Sequence, residues 1–97
     1  MSNSIYIITC IEERDHHRKH TAEWHSTLEV ATAAVEHNSG GMSEGATNHW
    51  AVIESVNEGS ICINNEWWFE WRGDYESGGY RACSKPEWSE GVCNWWN

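Results

Sequence analysis

The sequence predicts an α+β fold, a mainly antiparallel sheet of four to five strands with one helix packed on one face. Three observations support this class. Short apolar runs outnumber the single segment with helical periodicity. Turn-forming residues separate most of these runs. The 97 residues contain no internal repeat and no linker, so residues 1–97 are expected to form a single domain.

The first predicted strand covers residues 4–12, SIYIITCIE. Both of its faces are apolar, with Ile7 and Ile11 on one and Ile8 on the other. This pattern is typical of an interior strand that is covered on both sides. A polar stretch, ERDHHRKH, comes next, and TAEWH (residues 21–25) is a candidate for a second, antiparallel strand.

The helix is predicted from Ser26 onward and is expected to run for about 12 residues. Ser26 is the expected N-cap and Glu29 its capping-box partner. Asn38 and the two glycines after it are expected to end the helix. An apolar stripe at helical spacing would face the sheet. Its members are Leu28, Ala31, Ala34 and Val35.

The remaining strands are expected in the second half of the chain. HWAVIESV (49–56), SICIN (60–64) and WWFEW (67–71) are predicted strands, and YRAC (80–83) is a candidate for the last one. Asn64 and Asn65 are expected to form a turn between SICIN and WWFEW.

The stretch EWWFEWRGDYESGGYR, residues 66–81, crowds indoles and carboxylates together. Strand alternation divides them between two faces. The predicted core face comprises Trp67, Phe69 and Trp71. The predicted exposed face comprises Trp68, Glu70 and Arg72. Aromatic side chains bordered by charge are what a protein-binding surface requires. In the alternative interpretation, all of these rings pack inward.

The net charge of -9 is unevenly placed along the chain. Residues 23–76 hold ten acids and one base, which accounts for the whole imbalance. Such a field repels nucleic acid and attracts basic proteins. The alternative is that the acidity only keeps a tryptophan-rich chain soluble. The predicted partner-binding residues are Glu29, Glu36, Glu54, Glu58, Glu66, Glu70, Asp74, Glu76, Trp68 and Tyr75.

Catalytic motifs are missing from the sequence, so we expect no enzyme and no cofactor. It has neither G-x-S-x-G nor a glycine loop followed by lysine. Glu66 and Glu70 could suggest glycoside hydrolysis, but a chain of this size rarely builds the deep cleft. With no signal-peptide pattern and no long apolar run, a cytoplasmic protein without a membrane span is expected.

Metal sites are possible at the histidines and cysteines, but both groups have simpler interpretations. The histidine cluster comprises His16, His17, His20 and His25. We interpret it as a solvated polar turn, with metal binding or a response to pH as alternatives. The cysteines lack C-x-x-C spacing, so free thiols are expected, and zinc at Cys62, Cys83 and Cys93 is the alternative.

The C-terminal segment 84–97 is rich in tryptophan and is predicted to pack back on the domain. Exposure of Trp88, Trp95 and Trp96 would be an aggregation liability. The alternative is a docking tail or a dimer contact. An exposed Trp68, Tyr75 or Trp88 could also serve as a stacking platform, which would make the protein a small carbohydrate- or ligand-binding module.

The tail pattern W-x-G-D…G-G-Y…K-P-E-W…N-W resembles that of small uncharacterised proteins of bacteriophage and prophage genomes. The N-terminal part of the chain is predicted to form a strand, a capped helix and a strand. This order is similar in plan to that of small anti-CRISPR proteins. The resemblance implies a phage-encoded, non-enzymatic inhibitor in the host cytoplasm. It would act on a host defence or nucleic-acid-handling protein with a basic surface, with its acids as a DNA mimic. The resemblance assigns no functional residue.

Overall fold

The computed structural model describes residues 4–12, 19–37, 48–57, 63–73 and 78–87. These residues form five strands and one helix. The elements are β1 (Ser4–Glu12), β2 (Lys19–His25), α1 (Leu28–Glu36), β3 (Asn48–Asn57), β4 (Ile63–Arg72) and β5 (Gly79–Cys83). All paired strands are antiparallel, in the spatial order β2-β1-β3-β4-β5. The predicted α+β class is therefore confirmed, with five strands in one open sheet.

Helix α1 packs on one face of this sheet and forms the larger apolar core with it. The helix contributes Ala31, Ala34 and Val35, and the half-buried Leu28 packs against them. The sheet contributes alternate residues of four strands. They are Ile8, Cys10, Ala51, Ile53, Phe69 and Tyr80. The predicted helical stripe is thus the buried one, and β1 is an interior strand as expected.

The opposite sheet face has its own core. Ile11 and Val52 are fully buried there, and Trp68 is 4% exposed. Trp50 and Cys83 pack against this cluster. The centre of the sheet is therefore buried on both faces.

The N-cap of α1 is Thr27, one residue later than predicted. Its extended backbone (φ -132°, ψ 150°) precedes the first helical residue, and its Oγ1 accepts a hydrogen bond from the Val30 N–H at 3.2 Å. Ser26 lies one residue outside and does not cap. The helix ends at Glu36, where the His37 N–H donates to the Ala33 carbonyl at 2.9 Å. It has 9 residues and is shorter than predicted.

Strand β4 overturns one turn prediction. Asn64 and Asn65 lie within β4 rather than between two strands. Asn65 lies opposite Ser55 of β3, and its backbone N–H donates to the Ser55 Oγ at 3.2 Å. Strand pairing thus overrides the turn preference of asparagine.

The boundaries of β1, β2, β3 and β5 agree closely with expectation, and TAEWH and YRAC are strands. Residues 60–62 of the predicted strand SICIN lie outside the described residues, and its last two residues belong to β4. Beyond β4, Gly73 has φ 97°, a left-handed conformation that glycine adopts without strain. Among the described residues, no helix is long and apolar enough to cross a membrane.

Candidate functional site

The predicted acidic surface is divided between two layers of the molecule. Glu29 and Glu36 are exposed on α1. Glu66 and Glu70 lie on the sheet face away from α1, with side chains 20% and 24% exposed. The structure therefore does not bring these four carboxylates together. Four further predicted contact residues lie outside the described residues. They are Glu58, Asp74, Tyr75 and Glu76.

Two predicted contact residues are buried. Glu54 is fully buried on β3, opposite Glu66 of β4 and Ile7 of β1. Trp68 is on the predicted face of β4, but it is 4% exposed. Alternation fixes which face a side chain occupies, not what covers that face. Neither residue is therefore available to a partner or as a stacking platform in this conformation.

The solvent side of α1 is acidic with an apolar centre. Residues 26–37 include two glutamates and no lysine or arginine. Val30 is 51% exposed, and Ala33 is exposed beside it. Within the described part of the chain, Glu29 and Glu36 form no ion pair. By contrast, Glu66 and Glu70 each have a cationic partner.

A groove of about 560 Å³ opens on the sheet face away from α1. Trp50 of β3, Glu70 and Arg72 of β4, and the segment 83–87 after β5 line it. Its position follows from strand register, since Trp50 and Glu70 lie opposite each other. Its volume is within the roughly 300–1,000 Å³ of ligand pockets. Cys83 and Lys85 also line a second hollow of about 360 Å³ near the end of β5.

Two ion pairs, Arg72 with Glu70 and Lys85 with Glu66, border this groove. Glu70 accepts a hydrogen bond from Arg72 and lies 3.8 Å from the Nε2 of His49. The His49 ring in turn packs edge-on against Trp50, with centroids 4.5 Å apart and an interplanar angle of 80°. Lys85 Nζ lies 3.3 Å from the Glu66 carboxylate. The groove therefore has an oriented indole wall and charges of both signs.

The Cys83 thiol in this groove is held in its protonated form. Burial raises its pKa, the Glu70 carboxylate raises it further, and Arg72 opposes the shift. A thiol with a raised pKa is a poor nucleophile near neutral pH. The groove therefore does not activate this thiol as a nucleophile.

Metal-ligand clusters of three or more residues do not occur among the described residues. Of the histidine cluster, the structure describes one side chain, that of His25. Its Nε2 lies 2.7 Å from the Oε1 of Glu23. Cys10 and Cys83 are free thiols. The predicted zinc alternative also needs Cys62 and Cys93, which lie outside the described ranges.

One exposed aromatic side chain was not predicted from the sequence. Trp24, on edge strand β2, is 63% exposed, and Ile5 nearby on β1 is 39% exposed. The exposure of Trp24 follows from the position of β2 at the edge of the sheet. A single sequence does not reveal which strand lies at the edge. The segment 84–97 is described only to Glu87, so the predicted packing of Trp88, Trp95 and Trp96 lies outside the described residues.

Comparison of the chain with family models, curated proteins and solved structures finds no match. The candidate site is therefore defined by its own geometry.

Proposed function

We propose that this protein is a non-enzymatic binding protein that attaches to a basic surface of another protein. The observation that carries this proposal is the solvent side of α1. Glu29 and Glu36 are exposed there without an ion pair among the described residues, the exposed Ala33 lies between them on the helix, and Val30, 51% exposed, lies to one side. Unpaired carboxylates around an apolar centre suit an interface with lysine and arginine side chains.

The overall charge supports the same proposal. A net charge of -9 on 97 residues accelerates encounter with basic proteins and slows encounter with nucleic acid. Combined with the resemblance of the tail to phage proteins, this favours a phage-encoded inhibitor of a host defence or nucleic-acid-handling protein. In that setting the carboxylates of α1 would take the place of DNA phosphates.

Capture from bacterial lysate tests the proposal. The wild-type chain and an E29Q/E36Q variant would be immobilised and compared at low and at physiological salt. Glutamine keeps a helix propensity close to that of glutamate, so α1 is retained while two charges are removed. We expect a specific protein to bind the wild type and to be depleted with the variant.

Asn65→Lys is a control for net charge of half the size, since it changes the charge by one unit and E29Q/E36Q changes it by two. Asn65 is exposed on β4, outside α1, and its substitution also makes the chain less negative. The N65K chain should retain the captured protein. Absence of any specific partner at both salt concentrations would contradict the proposal, and so would equal loss with N65K and E29Q/E36Q.

A further inference from the structure

We infer that two copies of this chain pair edge to edge through β2, around a two-fold axis at Trp24. This inference goes beyond the proposed function and does not depend on it. β2 ends the sheet, because within the described part of the chain it pairs only with β1. Every second residue of such a strand directs its N–H and C=O groups away from the sheet, where a further strand can pair with them.

The exposed apolar surface of the sheet lies at this edge. Trp24 is 63% exposed, and Ile5 on the neighbouring strand is 39% exposed. They share the sheet face away from α1, since Trp24 is opposite Ile7 and Ile5 precedes Ile7 by two residues. Val30, the third exposed large apolar side chain of the described residues, is on α1, and β5 at the opposite edge has none. The apolar contact that a second copy needs is therefore at the β2 edge.

The features that protect a sheet edge from pairing are confined to the other end of β2. The register with β1 shifts between Ile8 and Thr9, which leaves Ala22 without a partner on β1, and Lys19 begins the strand. Bulges and lysines are two of the devices that keep edge strands apart. The segment 23–25 has neither, so this end of β2 is suited to pairing.

The side chains beside Trp24 are complementary to those of a second copy. In an antiparallel pair with Trp24 opposite its own copy, Glu23 of each chain lies opposite His25 of the other. Within one chain, the Nε2 of His25 lies 2.7 Å from the Oε1 of Glu23, and their remaining oxygen and nitrogen form no hydrogen bond among the described residues. β2 holds one acid and one base, whereas the whole chain carries -9, so repulsion between copies is small at this edge.

Sedimentation velocity over a roughly hundredfold range of concentration tests this inference. We expect the 11.2 kDa chain to be a monomer at the dilute end and to approach twice that mass at the concentrated end, since a contact of one short strand is weak. W24T keeps a β-branched strand residue but removes the aromatic contact, so it should weaken dimerisation about tenfold or more. Circular dichroism of each variant verifies folding.

A charge exchange tests the register. E23K and H25E each remove the complementary pair from a homodimer, so each alone should dimerise about tenfold more weakly than the wild type. An equal mixture of the two should recover the dimer, because it again places opposite charges together. E87K changes the net charge as E23K does but lies outside β2, and it should dimerise at least as strongly as the wild type.

Three outcomes would overturn the inference: a monomer over the whole range of concentration, a W24T chain that dimerises as the wild type does, or a mixture of E23K and H25E that is no more dimeric than either variant alone. The recovery in the mixture is the decisive result, because a loss of folding in either variant would not be reversed by the other.

Discussion

The indole Nε1 of Trp68 donates a hydrogen bond to the Oε1 of Glu66 at 2.7 Å, two residues earlier on the same face of β4. This contact accounts for one pairing of an indole with a carboxylate in the segment EWWFEWR. A nearly buried indole needs an acceptor for its N–H, and the carboxylate at i-2 supplies it. Glu66 is also 3.3 Å from the Nζ of Lys85, so the same side chain links β4 to the segment after β5.

Removal of the Glu66 carboxylate should destabilise the fold. Glu66→Ala leaves the buried Trp68 N–H without this acceptor, and we expect the free energy of unfolding to fall by about 1–3 kcal/mol. Glu66→Gln keeps an amide oxygen as acceptor and loses only the partly exposed pair with Lys85, so it should cost less than about 1 kcal/mol. Urea denaturation of the two variants measures the difference, and equal losses would contradict this role of the hydrogen bond.

The N-cap of α1 is the subject of a second prediction. Thr27→Ala removes the acceptor for the Val30 N–H and should lower the free energy of unfolding by about 1 kcal/mol. Thr27→Ser should retain most of the stability, because the hydroxyl remains. Ser26→Ala is the matched control and should change stability by less than about 0.5 kcal/mol. A larger loss in S26A than in T27A in thermal or urea unfolding would restore Ser26 as the cap.

Local periodicity was sufficient to predict most elements of this fold. Alternation identified the strands and the two faces of β4, and helical spacing identified the buried stripe of α1. The cap was misplaced by one residue because Ser26 and Thr27 have similar preferences for that position. The turn at Asn64 and Asn65 was wrong because pairing with β3 is a long-range contact that local preference does not contain.

The candidate site was less predictable, because it depends on which surfaces face each other. Of the predicted contact residues, Glu29 and Glu36 are exposed on α1, but Glu54 and Trp68 are buried on the sheet face away from α1. Alternation alone cannot distinguish a solvated face from a covered one. The groove at Trp50 arises from the pairing of β3 with β4 and from the path of the chain after β5, neither of which is local.

The thiol of Cys10 makes stability depend on pH in the alkaline range. Burial, and secondarily the Glu23 carboxylate, raises the pKa of Cys10 to about 12. The pKa of a cysteine in an unfolded chain is about 8.5. The unfolded chain therefore loses this proton first. The stabilising contribution of Cys10 is complete below about pH 8.5 and declines by up to about 1.4 kcal/mol per pH unit as the pH rises toward the folded pKa.

Urea denaturation between about pH 7 and pH 10 measures this decline. Cys10→Ala is the control, because alanine fills most of the same space and does not titrate. We expect a shallower alkaline loss of stability in C10A than in the wild type, even though C10A is less stable at neutral pH. Parallel pH profiles for the two proteins would show that Cys10 is not the titrating group.

A buried hydroxyl on β1 provides the last prediction. Thr9 is fully buried on the face away from α1, and its Oγ1 has no hydrogen-bond partner among the described residues. Because a buried unsatisfied hydroxyl costs about 1–3 kcal/mol, Thr9→Val, which has the same shape without the polar atom, should raise the free energy of unfolding by about 1 kcal/mol. Thr9→Ser keeps the hydroxyl and removes a buried methyl, so it should lower stability by about 1 kcal/mol. Thermal unfolding of the three proteins should therefore rank T9V above the wild type and the wild type above T9S, and a T9V protein less stable than the wild type would mean that the Thr9 hydroxyl is hydrogen-bonded in solution.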